Sequence, residues 1–243
     1  MKLHVLNTGS SGNCYLLESP DGVLIVEAGV RLAEVKKAIG FDMRKIVGCI
    51  ISHSHVDHAK YAVSYADSGI NVYCSHETRA EVRADKHPLF KPIVVKQKFN
   101  AGSFQILPID LVHDVRNFGY LIKHDLMGLT CFLTDTHYSP SVYTGLNNII
   151  VEANYSEHII AQRLANGQIN HAYYERVRGS HLSLENAIAF LEANNLSKVR
   201  NIILIHLSDG NSDAEMFRSK VASQFGIPVW VADKYMVIDI GNF

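Results

Sequence analysis

The sequence is poor in cysteine, with four residues among 243 and no CxxC pair. Three of the four lie in or beside apolar runs typical of strands, so we expect buried thiols in a reducing, cytoplasmic compartment. A disulfide framework is therefore not expected. The sequence also has no run of eighteen apolar residues and no N-terminal basic-plus-apolar signal, so we predict neither a membrane span nor export.

The sequence also lacks an excess of charge of either sign, since 23 basic and 24 acidic residues give a formal net charge of -1. Such a balance predicts no strongly attractive field for nucleic acid over the whole surface. A nucleic-acid substrate would need a local patch and bound metal ions. No linker rich in proline, glycine or serine divides the chain, and neither internal repeats nor low-complexity tracts are evident. We therefore expect one domain over residues 1–243.

Histidine, in contrast, is abundant, with 13 residues. Four metal-ligand side chains, His53, His55, Asp57 and His58, follow the apolar run 46–51 within six positions. Side chains alternate faces in extended backbone, so positions 53, 55 and 57 can point the same way, and a turn near Asp57 would bring His58 beside them. Imidazole and carboxylate are donors that Zn²⁺ and similar ions prefer, so the segment predicts a metal site rather than an ordinary polar loop.

Three further donors come at the ends of apolar runs downstream. His113 follows the run 104–112, Asp135 follows the apolar residues of segment 130–136, and His206 follows those of segment 201–208. Each of them alone could be a polar residue at the edge of the core. The repeated pattern favours strand ends that converge on one point with the first cluster.

Strands and helices are predicted in both halves of the chain, which indicates two sheets packed face to face and covered by helices, an α/β (α+β) sandwich. The patterns also predict one helix over 57–67 and a strand over 92–98. The segment 164–180 contains Tyr173, Arg176 and Arg178, and its composition fits either a solvated loop or a contact with a nucleic-acid strand. Residues 10–13 fit either an anion-binding turn or an ordinary hairpin turn.

The spacing His-x-His-x-Asp-His at residues 53–58 resembles the signature of the metallo-β-lactamase superfamily. The segments Gly-Ser-Ser-Gly-Asn at 9–13, Thr-Asp-Thr at 134–136 and Ser-His-Leu-Ser at 180–183 resemble its YycJ/WalJ-like branch. This resemblance implies a four-layer αββα sandwich and a DNA exonuclease acting 5′ to 3′. His137 and Ser180 stand where that branch usually has glycine, which leaves substrate preference open.

The resemblance also implies two divalent metal ions, Zn²⁺ or Mn²⁺. One ion would be held by His53, His55 and His113, the other by Asp57, His58 and His206, with Asp135 bridging them. A metal-bridging hydroxide would attack, assisted by Asp57. His181 would donate a proton to the leaving oxygen, paired with Glu152, although both residues could also have a purely structural place near the helix 184–194.

Three functions remain open from the sequence. The first is a two-metal phosphodiesterase with a nucleic acid, DNA by preference, as its partner. The second is a hydrolase of small molecules such as lactones, thioesters or β-lactams, which the near-neutral charge favours. The third is a metal-binding module without catalysis, which the complete ligand set opposes, since structural zinc sites are usually closed and rich in cysteine.

Overall fold

The computed structural model describes residues 1–241 and contains two mixed sheets, each of seven strands in this range. Strands are numbered in chain order. The first sheet is ordered β14 (Val237–Asp239), β1 (Lys2–Asn7), β2 (Cys14–Ser19), β3 (Gly22–Val26), β4 (Ile46–Ile50), β5 (Val72–Cys74) and β6 (Phe90–Pro92). The second is ordered β13 (Val229–Val231), β12 (Asn201–Ile205), β11 (Leu146–Glu152), β10 (Gly128–Leu133), β9 (Asn117–His124), β8 (Phe104–Leu111) and β7 (Phe99–Ala101).

Helices occur between strands in both halves of the chain. They are α1 (Leu32–Ala38), α2 (Val56–Ala59), α3 (Ala62–Asp67), α4 (His76–Glu81), α5 (Glu157–Ala165), α6 (His171–Ser180), α7 (Leu184–Ala193) and α8 (Ala214–Phe225), with a 3₁₀ turn at Met43–Lys45. Among residues 1–241, none of these helices has the length and apolar character needed to cross a membrane.

Alternation along the strands explains the layers. In β2, Leu17 points into the core between the two sheets, where it joins Phe132 and Ile203 of the second sheet. Its neighbour Leu16 points outward and joins a second buried cluster with Val35 of α1. These positions separate an inner core from an outer one.

The second sheet is covered in the same way. Val151 of β11, Leu191 of α7 and Phe217 of α8 belong to one buried cluster on its outer face. Helices thus lie outside both sheets, and the predicted four-layer αββα sandwich is confirmed. All four cysteines are buried and free, as expected for three of them from their place in apolar runs.

Parallel pairing brings several strand ends to one edge. β10 pairs in parallel with β11, and β11 pairs in parallel with β12, with Leu133 opposite Val151 and Glu152 opposite Ile205. The carboxyl ends of these three strands therefore lie side by side. The residues that follow them, Asp135 and His206, share this edge with Glu152.

Two predicted elements are wrong. Residues 57–67 form two helices rather than one, because the Tyr61 backbone N–H donates to Ala28 O and so leaves the helical pattern. The strand predicted over 92–98 stops at Pro92, the end of β6. Lys96 has a left-handed backbone with φ of 63°, which interrupts extended structure before β7 begins.

The segment around Tyr173 and Arg176 is also more regular than its composition indicates. It contains the ten-residue helix α6, so the loop interpretation is wrong there. The helix begins after Asn170, whose side chain accepts a hydrogen bond of 2.8 Å from Tyr173 N. This N-cap was the available signal, since asparagine is favoured at that position.

Candidate metal centre

The first cluster of donors is formed by His53, His55 and His113, whose ligand atoms lie within 4.8 Å of one another. His113 Nε2 and His55 Nδ1 are 3.3 Å apart. His53 Nε2 is buried and has no hydrogen-bond partner within residues 1–241, while its Nδ1 lies 2.9 Å from Ser52 Oγ. A buried, unpaired ring nitrogen costs free energy unless something binds it. The donor set therefore fits a divalent cation.

The second cluster is formed by Asp57, His58 and His206. Asp57 Oδ2 lies 3.4 Å from both His58 Nε2 and His206 Nε2. Two nitrogen donors and one carboxylate oxygen are a common ligand set for Zn²⁺ and for Mn²⁺. This group also fits a cation.

Asp135 lies between the two clusters. It forms a further ligand group with His53 and His58, one from each cluster, and its Oδ2 is 3.0 Å from His58 Nε2. Thr134 Oγ1 donates to the same oxygen at 2.6 Å and so fixes the carboxylate. The structure thus brings all seven predicted ligands together at one edge of the sandwich.

The backbone at this edge is unusual. Asp135 has φ of 49° and His206 has φ of 57°, so both occupy the left-handed region, which residues other than glycine rarely adopt. Such backbone persists only where surrounding contacts hold it. The His206 N–H donates to Thr8 Oγ1 at 2.9 Å, and Asn117 Nδ2 donates to Asp135 O at 2.6 Å. Contacts from the turn after β1 and from β9 therefore fix the direction of both ligands.

Metal uptake is expected to release protons and to weaken as pH falls. Burial lowers the pKa of His58 and His206, but the surrounding carboxylates, Asp135 first among them, together outweigh it, and both pKa values lie well above the usual histidine value. The metal-free site therefore favours the protonated form of both rings, whereas a metal ion binds the unprotonated ring. Calorimetry of Zn²⁺ binding in buffers of different ionisation enthalpy counts the protons. An affinity independent of pH would contradict this expectation.

Glu152 is fully buried behind the clusters. Its Oε1 lies 2.7 Å from His181 Nδ1 and 2.9 Å from His206 Nδ1, and its Oε2 accepts from Leu182 N at 3.0 Å. One carboxylate thus orients two histidines. The pairing of Glu152 with His181 agrees with the sequence-based expectation, but its burial points to a positioning role.

His181 is the C-cap residue of α6 and lies two positions before Ser183, the N-cap of α7. Its side chain is 16% exposed, and its Nδ1 also lies 3.2 Å from Asp135 Oδ1. Burial alone would lower its pKa, but Glu152 and Asp135 raise the pKa of His181 to about 9. The ring therefore carries a proton at neutral pH and faces the cavity.

An open cavity of about 440 Å³ lies over these groups. Its walls include His55, Asp57, His113, Asp135, His181 and His206. Both donor clusters and the protonated His181 therefore meet the same space. This arrangement can bind a metal-coordinated substrate and supply a proton to it.

Two supporting residues were missed by the sequence reasoning. Glu27 is fully buried, its Oε2 lies 3.5 Å from His58 Nδ1, and both of its oxygens accept from Ser52 N at 3.3 Å. Asn13 Nδ2 lies 3.1 Å from His58 Nε2. The sequence signal that could have identified Glu27 is its position directly after the wholly buried strand β3. A buried carboxylate needs a partner, so this position indicates a contact inside the protein.

Glu27→Gln is expected to weaken metal binding at the Asp57 cluster by about 10- to 100-fold, because a carboxylate on the far side of a ligand histidine fixes the ring and raises its basicity. The measurement is Zn²⁺ affinity by competition with a chelating dye. Glu18→Gln is the matched control, since Glu18 lies 2.7 Å from His4 away from the site. Equal affinities for both variants would contradict the role of Glu27.

The turn at 9–13 contacts the backbone of the ligand Asp57. Gly9 N donates to Asn13 Oδ1 at 2.9 Å, Gly12 N donates to Gly9 O and Asn13 N donates to Asp57 O. These amides are engaged within the protein, which favours the hairpin-turn interpretation over an anion site. Gly29 approaches so closely that an added Cβ would lie 2.0 Å from Asp57 O, so only glycine fits beside the turn.

Comparisons with known proteins agree with this architecture. The family model described as Metallo-beta-lactamase superfamily matches residues 7–145. Exodeoxyribonuclease WalJ from Streptococcus pneumoniae is 24% identical, with 92% of this chain and 87% of the relative covered. Exodeoxyribonuclease YycJ from Bacillus anthracis is 24% identical, with 91% and 89% covered. The crystal structure of YhfI from Bacillus subtilis has a TM-score of 0.71 at 17% identity, covers 98% and 99%, and supports the fold.

Proposed function

The chain belongs to the metallo-beta-lactamase superfamily, and on this premise we propose that it is a metal-dependent phosphodiesterase that degrades DNA as a 5′ to 3′ exonuclease. Its similarity to WalJ and YycJ, both named exodeoxyribonucleases, supports the YycJ-like branch and this substrate. The observation that carries the proposal is the His181–Glu152 pair at 2.7 Å beside the two donor clusters in one cavity. We further propose that residues 1–243 act as one domain.

Two divalent ions, Zn²⁺ or Mn²⁺, would be held by the two clusters, with Asp135 between them. His53, His55 and His113 supply three nitrogen donors for one ion. Asp57, His58 and His206 supply two nitrogens and an oxygen for the other. When bound, the ions would activate a water molecule and neutralise charge on a phosphate.

Asp57 would accept the proton of the attacking water. It lines the cavity, and its carboxylate is fixed between two histidine rings. Burial raises the pKa of Asp57, but hydrogen bonds from His206 and His58 outweigh it and hold the pKa well below the usual range. The side chain is therefore an ionised acceptor at neutral pH.

His181 would donate a proton to the leaving oxygen as the P–O bond breaks. Glu152 holds Nδ1, which leaves Nε2 as the ring nitrogen available to a substrate in the cavity. A leaving alkoxide needs a proton, and a positioned histidine typically contributes about 10²- to 10⁴-fold in rate. Glu152 keeps the ring in position and compensates its charge.

The second candidate is a hydrolase of small esters or amides of the lactone, thioester or β-lactam type. The cavity of about 440 Å³ could hold such a molecule, and the net charge of -1 attracts no polyanion over the whole surface. A thioester releases a thiolate, which needs no proton donor, whereas a DNA phosphodiester releases an alkoxide, which does. The pair therefore favours the phosphodiesterase.

A substrate panel separates the two candidates. Purified protein loaded with Zn²⁺ or Mn²⁺ is given 3′-labelled single- and double-stranded DNA, RNA, a phosphodiester chromogen and a lactone. We expect stepwise shortening of DNA from its 5′ end. Lactone turnover without cleavage of any nucleic acid would support the second candidate instead, and metal content measured on the same sample gives the number of ions.

A further inference from the structure

Arg176 differs from the other groups at the cavity wall. It is the single lysine or arginine among the cavity-lining side chains in residues 1–241, whereas Asp57, Asp114 and Asp135 all line the same space. Bound metal ions would neutralise the charge of the scissile phosphate. A substrate with a second phosphate in the cavity would have Arg176 as its remaining cationic partner.

The guanidinium of Arg176 is available for such a contact. In the described part of the chain the guanidinium has no ion pair and no hydrogen bond, and it lies over the ring of Tyr173, 5.2 Å from the ring centroid. Nearby carboxylates are engaged elsewhere, because Glu175 lies 3.8 Å from His171 and Glu157 lies 3.1 Å from Arg178. Arg176 is also exposed, so binding a phosphate displaces no internal partner.

Tyr173 is a rigid support for this guanidinium. Its hydroxyl accepts a hydrogen bond of 3.0 Å from Asn211 Nδ2, and Asn211 is fully buried. Asn211 Oδ1 in turn accepts from Arg163 Nη1 at 2.6 Å. An arginine over an aromatic face gains a cation–π attraction. The ring is therefore fixed by the fold, and it holds the Arg176 side chain at the cavity wall.

Helix α6 forms one wall of the cavity. Tyr173, Arg176, Val177 and Ser180 all line the cavity, at the spacing of one helical face. The same helix α6 is followed at its C-cap by His181, the proton donor for the leaving oxygen in the function proposed above. Arg176 thus lies on the wall that leads to the leaving group.

We propose that Arg176, held by Tyr173, binds the phosphate next to the scissile one on the side of the leaving oxygen. This inference rests on the proposed phosphodiesterase function and extends it to a polynucleotide substrate. A guanidinium binds phosphate oxygens through charge-assisted and often bidentate hydrogen bonds. Tyr173 is a positioning residue in this arrangement.

The first test compares two substrates on the full-length, metal-loaded protein. One is a DNA oligonucleotide, and the other is thymidine 5′-p-nitrophenyl phosphate, whose leaving group carries no phosphate. For Arg176→Gln we expect the ratio of kcat/KM values, oligonucleotide over chromogen, to fall about tenfold, as for loss of one phosphate contact. Arg176→Lys should recover part of this ratio, and the control Arg178→Gln on the same helix should keep it within about twofold.

A second test locates the contact on the substrate. After product analysis has defined the scissile bond, the adjacent phosphate on the leaving side is replaced by a neutral methylphosphonate, or is omitted where it is the 5′-terminal phosphate of the leaving nucleotide. Wild type should lose about tenfold in kcat/KM, and Arg176→Gln should lose little more, because the interacting partner is already absent. In Arg176→Gln, the slope of log binding constant against log salt concentration should also decrease in magnitude by about one, as for loss of one phosphate contact.

Several outcomes would overturn the inference. Equal losses from the methylphosphonate in wild type and Arg176→Gln would show that Arg176 does not meet that phosphate. Sensitivity on the opposite side of the scissile bond would overturn the assignment to the leaving side. If wild type cleaves the chromogen but no oligonucleotide, the proposed nuclease function fails, whereas cleavage of oligonucleotides equally by wild type and Arg176→Gln contradicts the inference alone.

Discussion

Asp57→Ala is expected to abolish turnover, with a loss of roughly 10³-fold or more in kcat. The substitution removes the proton acceptor and, at the same time, the carboxylate that contacts His58 and His206 at 3.4 Å. We therefore also expect the purified variant to bind one metal ion fewer than wild type. Turnover of labelled DNA and metal content by mass spectrometry measure the two effects.

The control for this variant is Asp67→Ala. Asp67 is an exposed carboxylate whose Oδ1 lies 3.2 Å from His87, outside the metal centre. It should keep wild-type rate and metal content. If Asp57→Ala turns over DNA at the wild-type rate, Asp57 has no part in the mechanism. If the variant is slow but keeps its full metal content, Asp57 accepts the proton but is not a metal ligand.

His181→Ala is expected to lower kcat by about 10²- to 10⁴-fold while metal content stays nearly intact. The reason is that Glu152 and Asp135 both lie against His181 Nδ1. His181 joins a four-residue group of possible ligands with Asp135, Glu152 and His206, but it belongs to none of the three-residue groups. His171→Ala is the matched control, because His171 lies on the same helix with its side chain 76% exposed. Steady-state kinetics and metal analysis on both variants test the role.

The pH profile gives a second readout for His181. Glu152 and Asp135 overcome burial and raise the pKa of the ring to about 9, so the donor is protonated below that value. In wild type, kcat should fall as pH rises through about 9, and this fall should be absent from the residual activity of His181→Ala. Loss of the metal ions in His181→Ala would contradict the donor role, as would an unchanged rate.

The local part of the candidate site could be read from the sequence. His53, His55, Asp57 and His58 lie within six positions, so one strand end and one turn are enough to bring them together. For His113, Asp135 and His206, the repeated strand-end pattern indicated convergence. That pattern did not give the register of β10, β11 and β12. This register places Asp135 and His206 at the same edge of the sheet.

The supporting residues depended on contacts between distant segments. Glu27 precedes His58 by 31 positions, and Asn117 reaches the backbone of Asp135 across 18 positions. No local periodicity encodes such pairs. The helix α6 was missed for a related reason: its charged and aromatic residues face a cavity, so its composition resembles that of a solvated loop.

By itself, the sequence determined the layered fold and the chemistry of the donors, because apolar alternation and the identity of side chains are properties of the chain. Only the tertiary structure decided which of these side chains face one another. The left-handed backbone at Asp135 and His206, the buried Glu152 between two histidines and the free guanidinium of Arg176 at the cavity wall all depend on packing between remote strands and helices. Those contacts form only when the two sheets close on each other, since that closure fixes the distances at their shared edge.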